Sequence, residues 1–384
     1  MNIVVLTAST GNGHTSAARA IAEEAEARGF QAPVIDVLDH TPKAFRRWFK
    51  NGYEMLVRRS PETWGYLYKK SDKASAEYYM QTFLDQYCTL PLARLMRENE
   101  PDWVVTTHSV AQPRLRALRK RYGFQTAVVV TDLYPHKMWL RGRPDLYFVP
   151  GDWSQQILNE RLPWSIGRTV VSGIPIAQEF AQPVGRAAAR RELGIPEDQR
   201  VILLQSGGIG GGPIVETAEV LAKTGAKVFA VCGRHEAKRQ RLRKQGPANV
   251  TALGQVPHPQ MALYMQACDF MVAKAGGLTT CEALAVGTPF VVFMPLLIPG
   301  QEEGNAEFLE NSGAGVRCYD FDQLDRTARE LVGDPARRER MSEAGRAHGQ
   351  PEAAKIILDQ LIAKKGPPAE LPSPLLGKIG AGSR

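Results

Sequence analysis

Three glycine-rich turns and one histidine turn are where this 384-residue chain could do chemistry. The first reads Ser206, Gly207, Gly208, Ile209, Gly210, Gly211, Gly212, between the apolar run 201–205 and Pro213. Glycines let a backbone approach an anion closely. A helix opened by Pro213 adds free N–H groups and the positive end of its dipole, so the turn suits phosphate. A plain tight turn is the ordinary alternative, and both the Lys-Ser/Thr ending of a P-loop and GxGxxG spacing are missing. The second turn, Lys274, Ala275, Gly276, Gly277, Leu278, Thr279, again joins a strand to a helix. Glu282 follows about two turns into that helix. A carboxylate there cannot neutralise phosphate, but it can accept both hydroxyls of a ribose, unless it is simply an acid on a helix face. The third turn, Pro299, Gly300, Gln301, Glu302, Glu303, Gly304, Asn305, follows the apolar run 290–294. Ligands of open α/β sheets bind at such carboxyl ends, where Gln301 and Glu302 could hold sugar hydroxyls or belong to a polar loop.

The histidine turn is Gly11, Asn12, Gly13, His14, at the first strand-to-helix junction. Ser16 stands where a dinucleotide fingerprint needs its third glycine, which argues against NAD. His14 could act as a general base or merely open a helix. His108 and Ser109 follow the run 103–107 and Asp132 follows 127–131, so all three are expected at the same sheet edge as His14, as orienting or acceptor-contacting groups. His136 and Trp139, just beyond, are pocket wall or packing. Asp320, Phe321, Asp322 imitates a DxD metal motif, but it precedes a predicted helix over 323–331, where an Asp is an N-cap.

The elements that must position these residues form two series of βα units. Strands are predicted at 3–7, 34–38, 103–107, 127–131, 146–149 and 170–175, with helices at 15–28, 112–122 and 152–162. A second series has strands at 201–205, 227–232, 250–253, 270–273 and 290–294, and helices at 213–223 and 353–363. The fold class is therefore α/β, two Rossmann-like halves facing one another, with a hinge near 172–183. Residues 42–79 interrupt the alternation with a basic and aromatic insertion that includes Arg46, Arg47, Trp48, Phe49, Arg58 and Arg59. Cations interleaved with aromatic anchors suit an anionic membrane surface. A solvated helix face and a nucleic-acid contact are the weaker readings, and no nucleic-acid partner is expected.

Hydrophobic residues at 43% and charged residues at 23% describe a globular chain with no apolar run long enough to span a bilayer. The N-terminus reads as a strand and not as a signal peptide, so cytoplasmic residence is expected. The five cysteines lack metal or disulfide spacing. A net charge of +8 favours anionic partners.

Taken together, Gly11-Asn12-Gly13-His14, Thr131-Asp132 with His136 and Trp139, Ser172-Gly173-Ile174-Pro175, Lys274-Ala275-Gly276-Gly277 with Glu282, and Pro299-Gly300-Gln301-Glu302 with Asn305 form a recognisable set. From about residue 1 to 345 the chain resembles the monogalactosyldiacylglycerol synthase and processive diacylglycerol glucosyltransferase family, related to the peptidoglycan N-acetylglucosaminyltransferase MurG. The resemblance implies a GT-B fold, two Rossmann-like domains with a cleft between them. It places the acceptor on residues 1–175 and the UDP-sugar on 176–345, followed by a C-terminal helix over 346–364 and a flexible tail over 365–384. It implies an inverting hexosyltransferase, moving glucose or galactose from a UDP-sugar to diacylglycerol or a glycolipid at the inner face of the cell membrane, with no cofactor and no essential metal. His14 becomes the base or an acceptor-site group, with Asp132 able to take its place. Glu282 becomes the ribose contact, and Gln301 and Glu302 the donor-sugar contacts. Gly207, Gly208, Gly210, Gly276, Gly277, Leu278, Thr279 and Asn305 belong to the donor site, and His108, His136 and Trp139 to the acceptor side. Gly277 departs from the pattern, since some relatives carry Pro there. A MurG-like transferase to a lipid-linked precursor, a UDP-sugar 2-epimerase and a non-catalytic UDP-sugar sensor are the alternatives.

Overall fold

A computed structural model describes residues 1–9, 11–49, 52, 60–72, 76–207 and 211–364. Gly208, Gly210, Arg58, Arg59 and the tail over 365–384 lie outside the described residues. The chain builds two six-stranded sheets in which every pairing is parallel. The first takes β1 (Ile3–Thr7), β2 (Val34–Asp36), β3 (Trp103–Thr106), β4 (Gln125–Val129), β5 (Leu146–Val149) and β6 (Thr169–Val171) in the order β2-β1-β3-β4-β5-β6. The second takes β7 (Val201–Gln205), β8 (Lys227–Val231), β9 (Val250–Leu253), β10 (Phe270–Ala273), β11 (Phe290–Phe293) and β12 (Gly315–Cys318) in the order β12-β11-β10-β7-β8-β9.

These short runs become central strands because both faces are covered by helices, which is why β3, β4, β5, β10 and β11 are buried along their whole length. Of the strands, β12 is absent from the sequence expectations, since Arg317 breaks its apolar run. Pro213 precedes the helix Ile214–Ala222 and does not open it. Asp320 caps the helix Phe321–Gly333, its carboxylate accepting from the Gln323 amide at 2.8 Å, as expected of a cap. The terminal helix begins at Ala353, not at 346, because 346–348 finish the helix Pro335–His348. It then crosses back, and Ile357, Leu358 and Leu361 are buried with Ile3, Val5 and Ile21 in the core of the first sheet.

Each sheet has one point where the strand order reverses, between β1 and β3 in the first and between β7 and β10 in the second. Chains leaving neighbouring strands in opposite directions open a crevice there, at the carboxyl ends. The two crevices face each other.

Candidate active site

The facing crevices form one cleft of about 480 Å³. The first domain contributes Gly11, Asn12, Gly13 and His14 from the turn after β1, and Thr131 and Asp132 from the turn after β4. The second contributes the turns after β7 through β11, among them Gly207, Gly276, Gly277, Leu278, Thr279, Glu282, Gln301 and Glu302. The domains touch at its floor. A Cβ on Gly277 would stand 2.2 Å from the Thr131 carbonyl oxygen, so this approach requires the glycine. Ser16 of the first domain and His258 of the second also meet, at 3.2 Å.

His14 sits in the first turn of the helix Asn12–Ala27. Its Nδ1 is 2.8 Å from the Thr107 carbonyl oxygen and 2.9 Å from Thr131 Oγ1. A carbonyl oxygen only accepts, so Nδ1 carries the proton and Nε2 keeps its lone pair. Burial lowers the imidazole to about 4, partly opposed by the Thr107 bond, and the ring is neutral at pH 7. Asp132 moves the other way. Burial pushes its carboxyl up to about 6, partly opposed by Trp139 Nε1, which donates to Oδ2 at 2.8 Å. Both groups resist charge in the same low-dielectric pocket, and both become easier to ionise when a ligand supplies the opposite charge.

On the donor side, two glycine turns flank the switch point. Gly207 has φ of +73°, and a Cβ there would stand 2.7 Å from Lys274 Cε, so a side chain would displace that lysine. Lys274 is paired with Glu302, whose second oxygen accepts from the Ile298 amide at 2.9 Å. The helix Gly277–Val286 points its N-terminus into the cleft with no acidic residue in its first turn, leaving its amides for an anion. Glu282 lines the same wall, and burial alone pushes its carboxyl up to about 8. Gln205 Oε1, Ser206 Oγ and Gln301 Oε1 are buried in the cleft wall without a hydrogen bond among the described residues, so they face a polar ligand directly.

Several predicted residues lie behind the cleft instead. Asn305 donates to the Ala275 carbonyl at 2.8 Å and holds the second glycine turn from outside. His108 packs edge-on against His14 at 4.6 Å between ring centroids, its Nδ1 accepting from the Val110 amide. Burial, and the neighbouring His14 and Arg141, lower its imidazole well below the usual range. His136 is buried against Tyr68, donating to that residue's carbonyl oxygen at 3.0 Å. Trp139 is packing as well as partner to Asp132. In the insertion, Arg46 pairs with Asp39 and Phe49 packs on Phe45 and His108, while Arg47 and Trp48 are exposed. Sequence reasoning missed Arg234, His235 and Lys238, which line the cleft beyond β8. Lys238 ties back to the Gly212 carbonyl at 2.6 Å. The signal was present, a glycine at 233 just past the end of a strand.

Comparison with known proteins fits this geometry. The family model for monogalactosyldiacylglycerol (MGDG) synthase matches residues 14–176, and that for glycosyl transferases group 1 matches residues 214–348. The chain is a glycosyltransferase of the GT-B fold. It is 27% identical over 392 residues to the processive diacylglycerol beta-glucosyltransferase of Bacillus mycoides (strain KBAB4), covering 98% of each chain. To the enzyme of the same name from Bacillus pumilus (strain SAFR-032) it is 26% identical, with 94% of each covered. Among solved structures it resembles Acinetobacter baumannii MurG, with a TM-score of 0.61 at 19% identity over 94% of this chain and 99% of that one. S. aureus MnaA, solved with UDP, gives 0.63 at 14% identity over 96% and 100%. His14 falls on the first residue matched by the synthase model, and the donor-side turns from Lys274 onward fall within the glycosyl transferase match.

Proposed function

We propose that this glycosyltransferase moves a hexose from UDP-glucose or UDP-galactose to diacylglycerol or a glycolipid, with inversion, at the inner face of the cell membrane. The observation that carries the reading is the opposition of His14, with Nε2 unprotonated, to a donor wall of glycine turns and a helix N-terminus. The acceptor hydroxyl attacks the anomeric carbon from the His14 side and gives its proton to Nε2, while the bond from that carbon to the phosphate oxygen breaks and UDP leaves. Negative charge gathers on the diphosphate, where the amides of Gly207 and Gly277 and the dipole of the helix Gly277–Val286 stabilise it without a resident metal. The imidazolium and the departing diphosphate form at the same moment, so each offsets the penalty that burial places on the other. Asp132 orients the acceptor or takes the proton in place of His14. Glu282 receives the ribose, and Gln301 and Glu302 the hexose.

The names of the Bacillus relatives support a diacylglycerol acceptor, and UDP in the MnaA structure supports the donor class. The surface that runs on from the end of the insertion supports a lipid partner. Tyr79, Met80, Phe83, Tyr87 and Leu90 are all exposed, and the first four stand on one helix, Ala76–Cys88. Exposed Arg116, Lys120 and Arg121 lie on the helix Gln112–Tyr122 packed beside it, and exposed Arg97 on the helix Leu92–Asn99 packed in turn on that one. An apolar face rimmed by cations fits an anionic bilayer. Among the described residues no helix is long and apolar enough to cross one.

The test is transfer from labelled UDP-glucose and UDP-galactose to diacylglycerol vesicles. In the parent protein a glycolipid forms. In His14→Ala turnover falls about 10²- to 10⁴-fold while UDP affinity is retained. Near-normal turnover in that variant removes His14 from the chemistry.

A further inference from the structure

The helix Pro61–Ser71 touches both domains at once. Its C-terminal end is anchored on the first domain, where Asp72 accepts from the Lys137 amide at 2.7 Å and from Arg161 at 2.8 and 3.0 Å, and His136 binds the Tyr68 carbonyl. Its middle rests on the second domain. A Cβ on Gly65 would stand 2.9 Å from the Pro299 carbonyl oxygen, and one on Gly300 would stand 2.9 Å from the Gly65 carbonyl oxygen. Backbone therefore meets backbone, an approach that only a pair of glycines allows. One turn further on, Lys69 pairs with Glu303 at 2.9 Å.

The loop that receives these contacts has two sides. Pro299, Gly300 and Glu303 face the helix, while Ile298, Gln301 and Glu302 line the cleft. Glu303 also accepts from the Gly300 amide at 3.2 Å, which ties the helix-facing side together. Tyr66 and Leu67 on the same helix are exposed, and the helix packs on Ala76–Cys88, which carries the apolar face assigned above to the lipid surface.

We infer that the helix Pro61–Ser71 is a strap that seats the sugar-binding loop, with Gly65, Gly300, Lys69 and Glu303 as positioning residues for the donor hexose. The inference rests on the functional reading above and adds a coupling to it. The part of the first domain nearest the lipid holds Gln301 and Glu302 in register, so hexose binding depends on the strap while uridine diphosphate binding does not. UDP is held by the turns after β7 and β10, whereas the strap's contacts on the second domain among the described residues fall on Pro299, Gly300 and Glu303.

Gly65→Ala is the direct test, because alanine favours the helix more than glycine while its methyl group pushes on Pro299. The expected result is a KM for UDP-hexose raised about fivefold or more, with calorimetric affinity for UDP unchanged. Lys69→Glu and Glu303→Lys each raise KM about two- to fivefold, the range open to an exposed pair, and the double exchange restores it. An unchanged KM in Gly65→Ala, or no recovery in the exchanged pair, overturns the strap. Loss of UDP affinity together with KM overturns it too, by showing general damage to the donor domain. A parent protein that neither binds UDP nor transfers hexose sinks the functional reading instead.

Discussion

Glu282 is 5% exposed and has no hydrogen-bond partner among the described residues. Burial pushes its carboxyl from the ordinary 4.5 up to about 8, so at pH 7 the group is mostly protonated before ligand arrives. A ribose whose two hydroxyls donate to it stabilises the carboxylate and draws the proton off. For a carboxyl that goes from about 8 in the free protein back to the ordinary 4.5 on binding, linkage makes UDP-hexose affinity about fiftyfold tighter at pH 8 than at pH 6. At pH 7 binding releases about 0.9 proton. UDP-hexose is the right ligand because its diphosphate, esterified at both ends, does not titrate in this range, whereas that of UDP does. The assay is isothermal calorimetry in two buffers of different ionisation enthalpy, repeated on Glu282→Gln, which cannot ionise and should show neither the pH dependence nor the proton release. The unliganded protein gives the complementary sign. A carboxyl raised in the folded state costs nothing below 4.5, and its cost grows as pH climbs towards 8, so Glu282→Gln raises Tm at pH 8 and leaves it unchanged at pH 4.5. A parent affinity that is flat between pH 6 and 8 refutes the reasoning. So does a slope that survives in Glu282→Gln.

Two further outcomes follow from neighbouring contacts. Trp139→Phe removes the donor that opposes burial at Asp132, so the carboxyl rises above about 6 and the acid limb of the kcat profile moves up by about one unit; an unmoved limb detaches Asp132 ionisation from turnover. Exchanging exposed Phe83 and Tyr87 together for Ser weakens sedimentation with anionic vesicles by roughly thirtyfold or more and leaves UDP affinity intact, whereas unchanged sedimentation removes this face from the lipid contact.

Much of the cleft was legible in the chain because its parts are local. A β-rich run followed by glycines and a helix signal marks a strand end wherever it occurs. Parallel sheets bring strand ends to one edge, so the gathering of His14, Asp132, Gly207, Gly277, Glu282, Gln301 and Glu302 in one cleft is readable from the chain. The Asp320 cap was readable for the same reason, as a bond spanning three residues. The insertion was only half legible. Its charges and aromatics showed a surface of unusual chemistry, but the exposed apolar face extends past residue 79 to Leu90, and Phe49 turns inward.

What the linear order by itself determined about this protein is the inventory of strand-end turns and the two-domain alternation that carries them, since both depend on spacing within a few residues. The tertiary structure alone decided which strands neighbour one another, and hence where each sheet reverses. It also sent Asn305 and His108 behind the site, returned Ile357 and Leu361 to the first domain, and brought Gly65 against Gly300. These are contacts between segments far apart in sequence, selected by shape and burial summed over whole faces. Gly65 and Gly300 illustrate the reason: neither glycine stands in a motif that names the other, and only the packed fold shows that each leaves room for the other's backbone.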